Sequence, residues 1–306
     1  MLSAEPFDKV VIWGHKLHTH THSYIHNAFY RAFKHLGYKT YWLDDADDLE
    51  NYDLSNSLFI TEGQVDKKIP IREDCYYFLH NCSDFNKYIP LQEKGRTFAF
   101  QVYTDDVLKL DYITEYAPFH YYSLEKRILF MPWATDLLPH EINKNKSRLL
   151  HIKKERKIYW IGSIGGGTFG NIENIYPFKT ACKKKSIPFI VKHNVNIDEH
   201  RNLIMRSYMA PTIVGPWQAR QGYIPCRIFK NISYGQMGVT NSKRVYEICE
   251  EKIVYNPDCK ELFTLAEEKI KKTSIEEIFE LMDFVRDHHT YINRIKFMLK
   301  LLEESL

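Results

Sequence analysis

Short apolar runs, each ending on a glycine or a polar pair and separated by stretches of helical periodicity, constrain this chain most strongly. The first run is Lys9-Val-Val-Ile-Trp13, closed by Gly14. A loop containing His15, His18, His20 and His22 follows it. Apolar residues Ile25, Phe29, Ala32, Phe33 and Leu36 then keep helical spacing, with Ser23 as the expected cap and Gly37 as the expected stop. Lys39-Thr-Tyr-Trp-Leu43 is the next run, which completes a β-α-β unit and points to a doubly wound α/β domain. Ser57–Thr61 runs into Glu62, Cys75–Leu79 into His80-Asn81, and Thr97–Tyr103 into Asp105-Asp106. His120-Tyr-Tyr and Ile128–Met131 are further short strands. Ionisable groups thus recur at the carboxyl ends of strands, the edge at which open α/β sheets bind ligands.

A length of 306 residues exceeds what one ordinary core spans, so two domains are expected. Polarity rises between Leu138 and Arg156, and a second alternating series begins beyond it. It contains strand Lys157–Ile161, the loop Gly162-Ser-Ile-Gly-Gly-Gly-Thr168, a helix through Phe178 and Ala181, and strand Pro188–Val191 ending at Lys192. A helix capped by Asp198, the runs Pro211–Val214 and Met237–Thr240, and strand Ile253–Tyr255 complete it. Ser274-Ile-Glu-Glu277 is a capping box in front of a long helical tail whose apolar stripe runs to Leu302. The expected organisation is two Rossmann-like domains, residues 1–145 and 146–273, and a C-terminal helical segment, 274–306, packing back across them.

Hydrophobic content of 44% beside 26% charged residues excludes a disordered chain. The 42 Lys+Arg against 39 Asp+Glu leave a net charge of +3, from which no nucleic-acid partner is expected. The runs Lys153–Arg156 and Lys183–Lys185 read as solvated surface. Six cysteines without a C-x-x-C pattern suit reduced, buried thiols. No signal peptide and no apolar run of about 20 residues is present, so a cytoplasmic location without a transmembrane segment is expected.

The most informative stretch is Gly222 to Ser242, a turn, a short helix ending near Gly235, and a buried strand. Arg227, Lys230 and Asn231 fall at i, i+3 and i+4, on one helical face. Two cations and an amide at a helix start suit an anionic group such as a diphosphate. The spacing Arg227-Ile-Phe-Lys230-Asn-Ile-Ser-Tyr-Gly235, then Met237 to Asn241, resembles the donor-binding pattern of the GT-B glycosyltransferases. Ile128-Leu-Phe-Met-Pro-Trp-Ala-Thr-Asp136 is similar to a Pro-x-x-x-Asp segment of the same fold. One departure stands out: the glutamate that commonly holds the donor ribose falls on Lys230, which cannot accept a hydroxyl proton and suits phosphate instead.

The resemblance implies transfer of a hexosyl or pentosyl group from a nucleotide sugar to a hydroxyl of a glycan or other acceptor, in an interdomain cleft and without a metal. A non-catalytic GT-B-like binding protein and a sugar-nucleotide epimerase are the alternatives. The implied donor residues are Gly162, Ser163, Gly165, Gly166, Lys192, Arg227, Lys230, Asn231 and Asn241. For the general base, His20 and His22 lead, with Glu62 and then Asp105 and Asp106 as competitors. His22 and His26 are spaced i, i+4, but no third ligand is identifiable, so neither a metal nor a cofactor is expected beyond the nucleotide-sugar substrate.

Overall fold

The computed structural model describes residues 6–16, 21–63, 65–81, 86–105 and 107–306. It divides into two compact units. The first comprises Met1–Val102, Leu110–Met131 and Tyr291–Leu306, and the second Tyr103–Lys109 with Pro132–Thr290.

Among the described residues of the first unit, eight strands form one sheet: β1 Lys9–Trp13, β2 Lys39–Leu43, β3 Ser57–Glu62, β4 Tyr76–His80, β5 Thr97–Gln101, β6 Thr114–Ala117, β7 His120–Ser123 and β8 Ile128–Phe130. Their spatial order is β2-β1-β3-β4-β5-β8-β7-β6. Strands β1 to β5 and β8 pair in parallel, while β8-β7-β6 is antiparallel. The central strands β1, β3 and β4 are buried along their whole length, as parallel strands covered on both faces must be. Helix α1, Thr21–His35, buries Ile25, Phe29, Ala32 and Phe33 of the expected stripe, and Ala28 with them, whereas Leu36 lies beyond the helix end and is exposed. It begins two residues before the expected cap Ser23, so His22 and His26 sit in its first turns. The short helix α2 is Ile89–Glu93. Because β2 and β3 flank β1 on opposite sides, the chain changes direction at the carboxyl ends of β1 and β3, the switch point where α/β sheets place ligands.

The second unit begins its regular structure with helix α3, Pro139–Leu149, so the polar stretch expected at a boundary is a helix inside this unit. The unit contains parallel pairs β9 Ile158–Ile161 with β10 Phe189–Lys192, and β11 Val239–Thr240 with β12 Val254–Tyr255. Pro211–Val214, expected as a strand, makes a single bridge from Thr212 to Thr240. Helices α4 Ile172–Lys184, α5 Ile197–Arg206, α6 Pro216–Arg220, α7 Cys226–Ser233, α8 Lys243–Ile248, α9 Cys259–Lys272 and α10 Ile275–His288 surround these strands. Asn196 caps α5 through its side-chain oxygen, two residues earlier than the expected Asp198. The capping box at Ser274 and Glu277 forms as expected. The C-terminal segment is two helices, α10 and then α11 Tyr291–Glu304, with α11 belonging to the first unit. There Tyr291 meets Phe29 of α1 edge-on at 4.6 Å. Gly235 ends the α7 segment at φ +83°, and a Cβ there would lie 2.1 Å from Leu149 Cδ1, so any other residue would be strained and would displace Leu149.

Candidate functional sites

In the first unit, the carboxyl ends of β1, β3 and β4 gather four imidazoles around one carboxylate. Gly14 turns the chain at φ +92°, and His15 follows at φ +60°. The Gly14 carbonyl accepts from His26 Nδ1 at 2.8 Å and from Trp42 Nε1 at 2.9 Å. A carbonyl can only accept, so His26 carries its proton on Nδ1, and its Nε2 accepts from His80 Nε2 at 2.7 Å. Burial pushes His26 down to about 3 and His80 well below the usual imidazole range, which keeps both rings neutral. These two rings form a neutral floor.

Glu62 ends β3 in register with His80. Its carboxylate accepts from His22 Nδ1 at 3.0 Å and is in direct contact with His15 Nε2. Burial acts to raise the Glu62 carboxyl, but the hydrogen bonds from His15 and His22 outweigh it and hold the group below the ordinary carboxylate range. Asn81 Nδ2 donates to His22 Nε2 at 3.0 Å. With Nδ1–H given to Glu62, the basic lone pair of His22 is on Nε2, where the Asn81 amide now rests. Carboxylate, imidazole and a lone pair on the far nitrogen are the orientation a general base needs. His15, His22 and Glu62 also bring three ligand-type atoms within 4.8 Å of one another, a spacing a divalent metal could use.

Of the base candidates, His22 and Glu62 are thus brought together, while His20 and Asp106 lie outside the described residues. Asp105 belongs to the second unit and is held by Arg244 Nε at 2.7 Å. Sequence reasoning did not single out Asn81, His15 or His80 as partners. Their positions at strand ends were the available signal, but strand order alone puts three of those ends side by side.

In the second unit, β9 delivers Ile161 to Gly162 at φ +115°, whose N–H donates to the Lys192 carbonyl at 2.9 Å. A Cβ at Gly162 would meet Arg227 Nη2 at 3.2 Å, so this glycine lets the guanidinium lie against the loop. Arg227 Cζ is 4.0 Å from the Trp160 ring centroid, a cation–π contact that fixes its plane. Loss of surrounding water lowers Arg227 to about 10, which leaves it charged at neutral pH. The loop is stapled by Asn171, whose N–H donates to the Gly165 carbonyl at 2.9 Å and whose side chain accepts from the Gly165 N–H at 3.3 Å. No atom lies within 4 Å of a Cβ position at Gly165, so a ligand can approach its backbone. Trp160 Nε1 donates to the Ser163 carbonyl at 3.3 Å, and Lys192 is exposed at the end of β10.

The remaining expected donor residues face inward. Lys230 is 5% exposed, with its ammonium 3.8 Å from Asp136 Oδ2 and 3.5 Å from His200 Nδ1. Tyr234 donates its hydroxyl to Asp136 at 2.7 Å. Asn231 donates to the Ala210 carbonyl at 2.9 Å. Asn241 accepts from Val214 N–H at 2.9 Å and donates to the Val214 carbonyl at 3.0 Å, taking the place of a strand partner. The helix was expected to present Arg227, Lys230 and Asn231 together to an anionic group. It is instead buried from Ile228 to Ser233, with Lys230 beside Asp136 and the Asn231 amide nitrogen on the Ala210 carbonyl.

No protein-family model and no curated protein matches the sequence. Solved structures do match it. One is an alpha-glucosyltransferase in complex with UDP-glucose and DNA containing an abasic site, at TM-score 0.62 and 12% identity over 96% of this chain and 98% of that one. An E. coli trehalose-6-phosphate structure bound with UDP-2-fluoro glucose matches at TM-score 0.56 and 11% identity over 96% and 98%. The UDP-forming alpha,alpha-trehalose-phosphate synthase of Burkholderia xenovorans, in complex with glucose-6-phosphate, matches at 0.52 and 12% over 76% and 74%. The DNA in the first of these complexes overturns the expectation of no nucleic-acid partner. A near-neutral net charge sums over the whole surface and does not exclude nucleic acid on a fold that has been solved with DNA bound. No helix among the described residues is long and apolar enough to cross a membrane. Across nearly its full length, at identities that speak for architecture alone, this chain has the fold of the GT-B glycosyltransferases.

Proposed function

We propose that the chain is a glycosyltransferase that moves a sugar, hexosyl or pentosyl, from a uridine-diphosphate sugar to an acceptor hydroxyl, in the cytoplasm and without a metal. The observation that carries this reading is Arg227, charged, stacked on Trp160 and laid against the glycine loop after β9. On an α/β sheet that is where the diphosphate of a donor is bound. As the bond between sugar C1 and the phosphate oxygen breaks, its electron pair stays on the diphosphate. Arg227 and the amides of Gly162, Ser163, Gly165 and Gly166 meet the growing charge. Lys192 adds a cation from the neighbouring strand end, and the Lys230–Asp136 pair, with Asn231 and Asn241, holds the helix and loop behind it.

In the first unit, His22 Nε2 takes the acceptor hydroxyl proton, and the freed oxygen bonds to C1. Glu62 holds the other ring nitrogen and stabilises the imidazolium that results. His20 remains a second candidate base. The folds matched, each solved with a UDP sugar or as a UDP-forming enzyme, support this reading.

The test is release of UDP from a panel of UDP sugars, with glycan, sugar-phosphate and DNA acceptors, in the presence of excess chelator. Transfer that persists with EDTA and disappears in Arg227→Ala is the expected result. If no nucleoside diphosphate raises the melting temperature and no donor is turned over, the reading is wrong.

A further inference from the structure

Helix α4 buries Ile175, Phe178, Ala181 and Cys182 and turns Tyr176, Lys179, Thr180 and Lys183 outward. The outward residues and the segment leading into β10 line a groove of about 530 Å³ that contains no carboxylate. Tyr176 is 70% exposed, and among the described residues no other ring stacks on it. Phe189 forms the back wall, stacked on Trp160 at 6.1 Å, with the Lys179 ammonium 5.6 Å from its ring centroid. Neither Lys179 nor Lys183 has an ion-pair partner among the described residues. Next along the chain, Lys185 is 3.8 Å from Glu267, while Lys184 is exposed and Arg156 donates to the Lys185 carbonyl at 3.2 Å.

We propose that this groove binds single-stranded nucleic acid, with backbone phosphates on Lys179 and Lys183 and a base stacked on Tyr176. Uncompensated cations around a recess attract a polyanion. A solvent-facing phenol beside them supplies the flat platform that an unpaired base needs and a duplex cannot use. An anionic lipid surface needs apolar groups that protrude, whereas Ile187 and Phe189 line a recess. The groove lies at the amino end of β10, and Gly162 and Arg227 lie at the carboxyl end of β9, so a bound strand leaves the donor residues open. This surface stands independently of the glycosyl-transfer reading.

Fluorescence anisotropy of a labelled single-stranded oligonucleotide, at low salt and across a salt series, tests the proposal. The double variant Lys179→Glu, Lys183→Glu should bind at least about tenfold more weakly, with a salt slope smaller by about 1.4 for the two lost phosphate contacts. Tyr176→Ala should weaken the single strand about 5- to 100-fold while leaving duplex binding unchanged. Unchanged unfolding midpoints show that both variants fold. Equal oligonucleotide affinity in wild type and the double-lysine variant overturns the proposal. So does capture of the wild type by phosphatidylserine vesicles when the oligonucleotide does not bind, which would assign the groove to membranes. Loss of binding in the lysine variant with none in Tyr176→Ala would overturn the stacking half and leave a phosphate-only surface.

Discussion

Glu62→Gln is the sharpest probe of the imidazole cluster, because it changes the charge at one position and almost nothing in shape. The carboxylate is 3% exposed and accepts from His22 Nδ1 at 3.0 Å. Taking the centres of charge as about 4 Å apart, a carboxylate steadies an imidazolium by about 4 kcal/mol at an effective dielectric constant near 20. That interaction exists only once His22 has taken the acceptor proton, so its loss falls on the transition state and not on donor binding. At about 1.4 kcal/mol per decade, kcat should drop about 10³-fold while KM for the donor stays within about twofold. UDP release under saturating donor measures both constants, and a thermal melt confirms that the variant is folded. Glu62→Asp, which keeps the charge but withdraws it, should fall between the two. A kcat for Glu62→Gln within about threefold of wild type would refute His22 as the base, because a base that ignores its buried counter-charge is not doing proton transfer there.

Three further outcomes follow from local geometry. Arg227→Ala removes the charged, ring-stacked guanidinium proposed to hold the diphosphate, and isothermal titration should show UDP binding weakened about 10- to 100-fold, with Arg227→Lys recovering only part because it loses the planar fork. Gly235→Ala forces a side chain into the left-handed region 2.1 Å from Leu149, and urea unfolding should report a loss of about 2–4 kcal/mol. Burial first, and Arg294 second, lower the His120 imidazole to about 3 in the folded state. The unfolded chain therefore binds the proton first, and stability falls as pH drops below about 6.5, by about 2 kcal/mol at pH 5; urea titrations at pH 7 and 5 should show this loss, and His120→Asn should shrink it.

The order of elements was legible wherever apolar runs were long or capped. Lys9–Trp13, Ser57–Glu62 and the box at Ser274 and Glu277 stand where periodicity and capping chemistry put them. Short strands were harder to place: Pro211–Val214 makes one bridge only, since Asn241 replaces a strand partner through its side chain. Helix α9 escaped notice although Asp258 caps it by accepting from Lys260 and Glu261 N–H groups, a signal present in the sequence. For the candidate sites, residue types and strand ends singled out Glu62, His22, Gly162 and Arg227. They could not identify Trp160 beneath Arg227 or Asp136 beside Lys230, because those pairings depend on side-chain direction after folding. Spacing placed Lys230 on a face with Arg227, and only burial reveals that its charge is matched from within. Net charge carried no information on nucleic acid, because it sums over the whole surface and the matched fold has been solved with DNA bound.

Helix α11 has a consequence for the way this protein is made. Its buried Phe297, Met298, Leu301 and Leu302 belong to a unit whose sheet is otherwise complete by Met131. Everything the second unit needs has been synthesised by Thr290. At about 5–20 residues per second, the ribosome takes roughly 8–30 s to traverse Pro132–Thr290, and the N-terminal sheet spends that interval without its last helix. The usual order of domain maturation is reversed, with the later-encoded unit finishing first. A stop codon just after Thr290 would therefore injure the half of the protein that the ribosome made first.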